Sequence, residues 1–533
     1  MIVELRFDAQ RPRTWMLRAI RQIAAEHAQV CVRWVSDQPR PPAGLATLLD
    51  LERLLLRGGR RCDADALDRA TIPTGHDAAT PDVVIDFTEA PHRAGDRPQL
   101  YLRPLYNGRA GENAALDAIL AGDLPMIEIR DEMSGAIVDG GHPSAEEADG
   151  LGGGLVTVMS RSITLLRAVV ARGPRPMPAL LGRADARTPV SPAGYLMCSL
   201  TQAIALRIYR LCCYSPHWRI GWRHVDDDGV WARGDLSGPS WQVVRSPATH
   251  FYADPFPVTW QGRTFVFFED LDHRVGKGTI SAIEFGAHGP IGEAIPVLEE
   301  PWHLSYPFLM TFDGALWMIP ESSANRDVTL YKCIEFPHRW EPQATLLSGL
   351  ELADATIVRR GGYYYLFGAT RDGAGGYSDT LSIYYADHPL RPWQAHGSNP
   401  VLLDRVAARP AGNFIERHGR LLRPAQDCSN GYGCALTLIE VEELTPSSFR
   451  QSVRHVISPG CEWPGRKLHT LNRSGRLEVI DGTTIQPRIK GLLQSRSARA
   501  QQPASTGDAV RAAQCLPSHK LSTAVGSDRH DLR

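Results

Sequence analysis

The 533-residue sequence is short of the features that usually assign a chain quickly. It has no excess of either charge, with 58 Lys+Arg against 59 Asp+Glu. No overall field therefore draws it to nucleic acid, and no nucleic-acid partner is expected. Its ten cysteines lack paired metal-ligand spacing: Cys212 and Cys213 are adjacent, and Cys428 and Cys434 are only loosely grouped. Free thiols in a reducing compartment are the expectation. The N-terminus MIVELRFDAQRPR has no basic region followed by an apolar stretch and a cleavage site. That argues against a secretory signal and predicts a cytoplasmic location. The most apolar later stretch, 193–214, is interrupted by Thr201, Gln202, Arg207 and Arg210. It reads as a packed or surface-lying amphipathic helix, and no integral membrane segment is expected. No G-x-G-x-x-G follows the first strand, so there is no case for a dinucleotide; neither a cofactor nor a metal is called for.

What is present is repetition. YADPFPVTWQGRTFVFFED (252–270) returns in diluted form as LSYPFLMTFDGALWMIPES, LADATIVRRGGYYYLFGAT, PAGNFIERHGRLLRPAQD and KLHTLNRSGRLEVIDG. The positions matching Asp254 are Tyr306, Asp354, Asn413 and His469, at steps of 52, 48, 59 and 56 residues. A period of this size means propeller blades or a solenoid. Each copy is a strand, a glycine turn (Gly262, Gly314, Gly361–Gly362, Gly419, Gly475) and a second strand, as hairpins require. GTISAIEF, VTLYKCIEF, TLSIYYADH and CALTLIEVE supply third strands, and AIPVLEE, ATLLSG, NPVLLD and RHVISP supply fourth strands. The prediction is an all-β, five-bladed propeller over 215–485, with WRIGWRHV (218–225) as the outer strand that closes the ring.

Residues 1–150 alternate strands (IVELRF, VCVRWVSD, PDVVIDFT) with a helix (TWMLRAIRQIAAEHA), which predicts an α/β Rossmann-like domain. A helical connector with a Pro/Gly/Arg linker is expected over 151–214, and a disordered tail over 486–533. At PDVVIDF, GRAGENAALDAILAGD and IEIRDEMSGAIVDGG the first domain resembles the formyltransferase domain that uses formyl-tetrahydrofolate. That resemblance implies an Asn and a His ahead of the Arg-Gly turn and an Asp on the next loop. Leu100 and Leu102 stand at the first two places and Glu132-Met133-Ser134-Gly135 on the loop. A degenerate formyltransferase-like domain used for packing or partner binding is expected; Asn107 and His142 are the substitutes to examine.

First strands of propeller blades line the central channel, so Asp254, Tyr306, Asp354, Asn413 and His469 should face one another. A second set near the ends of the second strands comprises Glu269, Glu321, Arg371, Gln426, Asp427 and Asp481. Recurrent carboxyls around one axis suit glycoside chemistry, which needs two flanking one bond. Asp254, Glu321 and Asp354 are the catalytic candidates. Arg371, Arg409, Arg423 and His303 are candidate anion binders, and Glu269, Tyr306, Asn413, Gln426, Asp427 and His469 complete the binding set. Trp302, Trp317 and Tyr432 offer faces for a sugar ring.

At YADPF the propeller resembles the five-bladed furanosidase-type glycoside hydrolases, which implies Asp254 as base or nucleophile and Glu321 as a candidate acid. Tyr306 stands where a second carboxylate would be expected in that family, and Asp354 follows one blade later. HLSYPFL with MIPES, RPAQDCSNGYG, and HTLN with VIDG together resemble the N-terminal domain of glucosamine inositolphosphorylceramide transferases. These resemblances imply a carbohydrate-active protein of surface-polysaccharide or glycolipid biosynthesis, whose propeller binds a sugar and transfers or hydrolyses it, with a carbohydrate or glycolipid as partner. The alternatives are a non-catalytic glycan-binding module and a formyl transferase acting on an amino sugar.

Overall fold

The computed structural model describes residues 1–26, 29–36, 38–41, 43–72, 80–91, 98–175, 190–463 and 465–489. Most of the expected linker and of the expected C-terminal tail lie outside these residues.

The N-terminal region is an α/β layer whose first strands are near-continuous apolar runs, as buried parallel strands require. Its strands are β1 (Ile2–Asp8), β2 (Gln29–Val35), β3 (Val83–Asp86), β4 (Leu100–Tyr106), β5 (Arg109–Ala110), β6 (Ile127–Asp131) and β7 (Ile137–Gly141). The sheet order is β2-β1-β3-β4-β6-β7, with β5 paired to β4. Pairing is parallel from β2 through β4 and antiparallel for β6 and β7. Helix Gly150–Arg172, expected to open a connector, is the central helix of this layer. Leu151, Leu155, Val158, Ile163, Leu166 and Val169 are buried in the α/β core. It is amphipathic in sequence but covered on nearly every side, because its polar face meets the propeller. It is also the one helix among the described residues long and apolar enough to cross a membrane, and most of it is buried within the protein.

From Trp218 to Thr483 the chain forms a propeller of five blades. Blade 1 runs His250–Trp260, Arg263–Asp272, Lys277–Gly286, Gly289–Leu298. Blade 2 runs Ser305–Phe312, Ala315–Glu321, Asp327–Glu335, Arg339–Ser348. In blade 3 (Leu352–Arg360, Tyr363–Thr370, Thr380–Ala386) the fourth strand is Gln394–Ala395. NPVLLD instead supplies Leu402–Leu403, which pairs with Thr380–Leu381 of the third strand. Blade 4 is Ile415–Arg417, Arg420–Asp427, Ala435–Leu444, Phe449–Ile457.

Blade 5 joins the two ends of the repeat region. Leu471–Ser474 and Leu477–Thr483 pair with Trp218–His224, outside which lies Gln242–Val243. WRIGWRHV closes the ring as expected but as the third strand rather than the outermost. A buried Arg223–Glu478 ion pair (2.8 Å) and the Trp463 ring against Gly221 seal this closure. Strand Gln486–Pro487, past the expected limit of 485, pairs with Cys213–Tyr214.

The two regions are bolted together by buried and half-buried polar contacts. Arg161 donates to Asp379 (2.6 Å), and the Ser144 amide donates to the same carboxyl (2.8 Å). Arg405 pairs with Asp123 (2.5 Å), Arg167 with Asp372 (2.9 Å), and Glu146 accepts from the Tyr377 amide (2.8 Å) and the Ser378 hydroxyl (2.7 Å). All of these land on the 371–379 loop of blade 3 or on Arg405 beyond it.

Candidate functional site

Three blades carry the same irregularity at the inner end of their first strand. Pairing slips between Ala253 and Phe256, Ser305 and Phe308, and Ala353 and Thr356, so two residues oppose one. The first residue of each bulge is left-handed: Asp254 (φ 51°), Tyr306 (φ 41°) and Asp354 (φ 57°). A bulge re-aims its side chain, and a left-handed non-glycine residue costs on the order of 1–3 kcal/mol. Three repeats of that cost at matching positions mark them as built features.

Around Asp254 lies a cavity of about 370 Å³. Its acids are Asp254, Glu269 and Glu321, its bases His303, His273, His469 and Arg409, and its rings Trp218, Phe251 and Tyr432. Asp254 is buried. Its Oδ1 accepts from the Thr470 hydroxyl (2.9 Å) and its Oδ2 from the Tyr306 amide (3.3 Å). His469 Nε2 stands 3.4 Å from Oδ1, and its Nδ1 meets Asp481 at 2.6 Å. Asp481 also accepts from the amides of Asp254 (2.9 Å) and Thr470 (2.9 Å). Burial pushes Asp254 up to about 8; His469 opposes the rise, and Asp481, Glu269 and Asp354 add to it. Burial opposes charge on His469, but Asp481 and Asp254 outweigh it and raise its pKa. At neutral pH Asp254 therefore favours its acid form, beside the His469–Asp481 contact. Trp218 stacks flat on His469 (3.8 Å, 16°), and Tyr432 meets that pair edge-on at 6.0 and 5.4 Å.

On the opposite side Glu269 pairs with His303 Nε2 (3.2 Å). Burial opposes a charge on this ring, but Glu269, Glu321 and Asp254 outweigh it and push it up to about 9. The Gly278 amide donates to Nδ1 (3.0 Å), so taking the second proton requires that contact to open. Glu321 accepts from the hydroxyls of Ser305 (3.1 Å) and Ser323 (2.7 Å). Asp254, His469 and Asp481 could also present one ligand atom each to a cation; their mutual hydrogen bonds already occupy those atoms.

The other candidates divide. Asp354 does not line the cavity: Arg409 Nε (2.6 Å) and Gln426 (3.1 Å) hold it from beneath, and burial raises it to about 7 against the pull of Arg409. Arg409 in turn covers Tyr432 (4.6 Å) and lies 3.9 Å from Glu146, so the α/β domain reaches the cavity wall. Tyr306 is fully buried, its hydroxyl shared with Thr356 (2.9 Å) and the Gly412 amide (2.6 Å). Asn413 bonds through its backbone to Asn472 (2.7 Å), and Asp427 accepts from the Ser429 amide (2.9 Å). Arg423 cannot serve as an anion binder. It is buried against Gln451 and the Ala407 carbonyl, and burial lowers its pKa to about 9. Arg371 turns outward to the Gly375 carbonyl, Glu147 and Glu351. Trp317 stacks in the blade core on Phe312 (4.5 Å), and Trp302 packs against the same core; of the three expected sugar platforms only Tyr432 lines the cavity. Nothing in the repeat marks Thr470 or Ser305 as site residues, and Trp218 stands in the sequence only as part of the closing strand.

In the N-terminal domain the described residues at the positions to which the formyltransferase resemblance points are engaged in packing and turn contacts. Leu102 is buried in its apolar core and Leu100 packs on it. The opposite face of β4 carries Tyr101 and Arg103, tied to Asp86 at 2.7 and 2.8 Å. Asn107 is a left-handed turn residue whose side chain accepts from the Met126 amide (2.9 Å). His142 lies at the joint with the propeller, bonded through its backbone to Leu403 (3.0 Å) and Arg405 (2.9 Å).

Residues 240–480 match the family described as glucosamine inositolphosphorylceramide transferase 1, N-terminal. This segment belongs to that domain family. Among curated proteins, the glucosamine inositolphosphorylceramide transferase 1 of Oryza sativa subsp. japonica is 29% identical over 252 residues, which cover 44% of this chain and 34% of that protein. The Arabidopsis thaliana protein of the same name is 32% identical over 207 residues, or 38% and 27%. The chain thus spans about a third of the length of these relatives. Among solved structures, Zg3597, a family 117 glycoside hydrolase of Zobellia galactanivorans, aligns at 12% identity, TM-score 0.33, over 48% of this chain and 78% of that one. CoXyl43, a GH43 β-xylosidase/α-arabinofuranosidase from a compost metagenome, aligns at 12% identity, TM-score 0.31, over 45% and 96%.

Proposed function

We propose that this is a carbohydrate-active protein of glycolipid biosynthesis, and that its propeller cavity binds a sugar and breaks or remakes one glycosidic bond. The observation that carries this reading is Asp254. It is a strained, buried carboxyl, favouring its acid form at neutral pH, that faces a cavity with Glu269 and Glu321 in its wall. A group with a pKa close to the working pH serves best in proton transfer. The relatives, glucosamine inositolphosphorylceramide transferases, support a glycolipid as the substrate class.

A ring packs its C–H face against Trp218, Tyr432, Phe251 and Leu271, while its hydroxyls meet the acids and His303. Asp254 gives its proton to the departing oxygen as the C–O bond breaks. Glu321 takes the proton of the incoming hydroxyl, from water or an acceptor alcohol, as the new C–O bond forms. This reverses the roles implied by the furanosidase resemblance, because the burial of Asp254 favours its acid form. The His469–Asp481 pair sets the electrostatics beneath Asp254, and Asp354 with Arg409 positions Tyr432.

The test is a mass-spectrometric turnover screen against sugar nucleotides, oligosaccharides and glycolipids, run beside Asp254→Asn. A product lost in the variant supports the reading. Glycan binding without turnover in the wild type would replace it with a non-catalytic recognition module.

A further inference from the structure

Helix Pro192–Cys212 has no buried residue over 21 positions, although its sequence is largely apolar. Tyr195 and Leu196 touch the α/β core at its start. One face of the helix presents a stripe to solvent: Met197, Ile204, Ile208 and Leu211 are 64, 55, 57 and 77% exposed. Their spacing of seven, four and three residues puts them on one helical face, turned away from the side where Tyr195 packs. A helix resting on its own protein shows the reverse pattern, polar outward. The neighbouring helix Leu45–Leu55 adds exposed Leu51, Leu54 and Leu55.

Charge identifies what this face meets. The helix contains no acidic residue, and it carries Arg207 and Arg210, both exposed. Arg60 and Arg61, just past the neighbouring helix, are exposed as well. None of the four takes part in an ion pair among the described residues. Apolar side chains rimmed by free arginines match an anionic bilayer surface, into which such a face sinks to the acyl boundary while the cations meet phosphates.

The helix is also fixed relative to the candidate site. Arg488 donates to the Arg210 carbonyl (2.9 Å) and lies over Tyr214 (4.8 Å), and Cys213–Tyr214 pairs with Gln486–Pro487. The next two residues, Ser215 and Pro216, line the Asp254 cavity. A surface held by this helix therefore lies beside the cavity mouth.

We infer that helix Pro192–Cys212 docks the protein peripherally on anionic lipid bilayers, without crossing them. The inference does not depend on the chemistry at Asp254, so docking and turnover can fail separately. The experiment is co-sedimentation of the full chain with vesicles of phosphatidylcholine plus phosphatidylglycerol, against phosphatidylcholine alone, with light scattering of the lipid-free protein. Ile204→Glu/Ile208→Glu/Leu211→Glu should lower binding about tenfold or more without changing the melting temperature. Arg207→Gln/Arg210→Gln should weaken binding to the anionic vesicles only. Wild-type protein that stays in the supernatant, or a triple variant that binds as the wild type does, would overturn the inference. A dimer that the triple variant dissociates, with no vesicle binding, would assign the stripe to a second copy and overturn it equally.

Discussion

Arg161→Met should separate the two halves of this molecule energetically. Arg161 lies on the central α/β helix and Asp379 on blade 3, and both side chains are wholly shielded from solvent. The guanidinium donates to Asp379 (2.6 Å) and to the Gly376 carbonyl (2.5 Å). Without it Asp379 keeps the Ser144 amide (2.8 Å) and the Thr380 hydroxyl (3.2 Å) but no cation. An uncompensated buried charge costs about 3–5 kcal/mol. Arg161 also holds two nitrogens, Nε and Nη1, buried without a partner, so the intact pair is itself expensive. Arg161→Met/Asp379→Asn should therefore recover at least half of the loss, since the uncharged carboxamide oxygen put in place of the Asp379 carboxylate would still accept from the Ser144 amide. Calorimetry and urea unfolding of the four proteins in this cycle measure the coupling. The reasoning is refuted if Arg161→Met costs less than about 1 kcal/mol, or if the double variant is as unstable as the two single losses added.

Three further outcomes follow from the site and the ring. Asp254 has a folded-state pKa of about 8 against an ordinary 3.8, so its contribution is fully present below about pH 3.8 and is lost as pH rises to about 8. Asp254→Asn should gain on the wild type across that window, by about 2 kcal/mol once sharing with His469 discounts a ceiling of about 6; melting temperatures that run parallel from pH 5 to 8 would contradict it. Gly433→Ala should reduce sugar binding more than it reduces stability, because φ there is +60° and the new methyl lies 2.7 Å from His469 Cβ; calorimetric titration against a melting curve checks this. Gly221→Ala should destabilise the ring closure by about 1–3 kcal/mol, its methyl 2.6 Å from the buried Trp463 ring, and unfolding in urea reads the change.

The propeller was legible because each blade is local. A hairpin writes its alternation and its glycine turn into about twenty consecutive residues, and five copies make the pattern hard to mistake. What failed was non-local. Nothing in WRIGWRHV distinguishes a third strand from a fourth, because that depends on Gln242–Val243 adding outside it. Nor does the sequence of Gly150–Arg172 say that its polar face is satisfied by blade 3 rather than by water. In β4 the alternation is plain, but which face is core is a one-residue matter: Leu100 and Leu102 turn inward and leave Tyr101 and Arg103 to the polar network.

At the site, homologous position predicted proximity to the axis and little more. Asp254, Tyr306 and Asp354 share a bulge and a left-handed φ, yet one faces the cavity, one is sealed in the core and one is locked by an arginine. The difference comes from neighbours contributed by other blades. Thr470 and His469 leave Asp254 open to the cavity, Gly412 closes over Tyr306, and Arg409 claims Asp354. Arg423 and Arg409 look alike in sequence; Gln451 and the Ala407 carbonyl absorb the first, while Tyr432 and Glu146 hold the second at the cavity wall. Glu146 belongs to the α/β domain, so that domain reaches the arginine at the cavity wall. Its helices and loops brace blade 3 and the Arg409–Tyr432 wall, and its own residues at the formyl-transfer positions are spent on packing. Loosening the Arg161–Asp379 bolt should therefore reach Tyr432 through Glu146, so that sugar affinity falls with Arg161→Met while Asp254→Asn leaves the joint between the two halves intact.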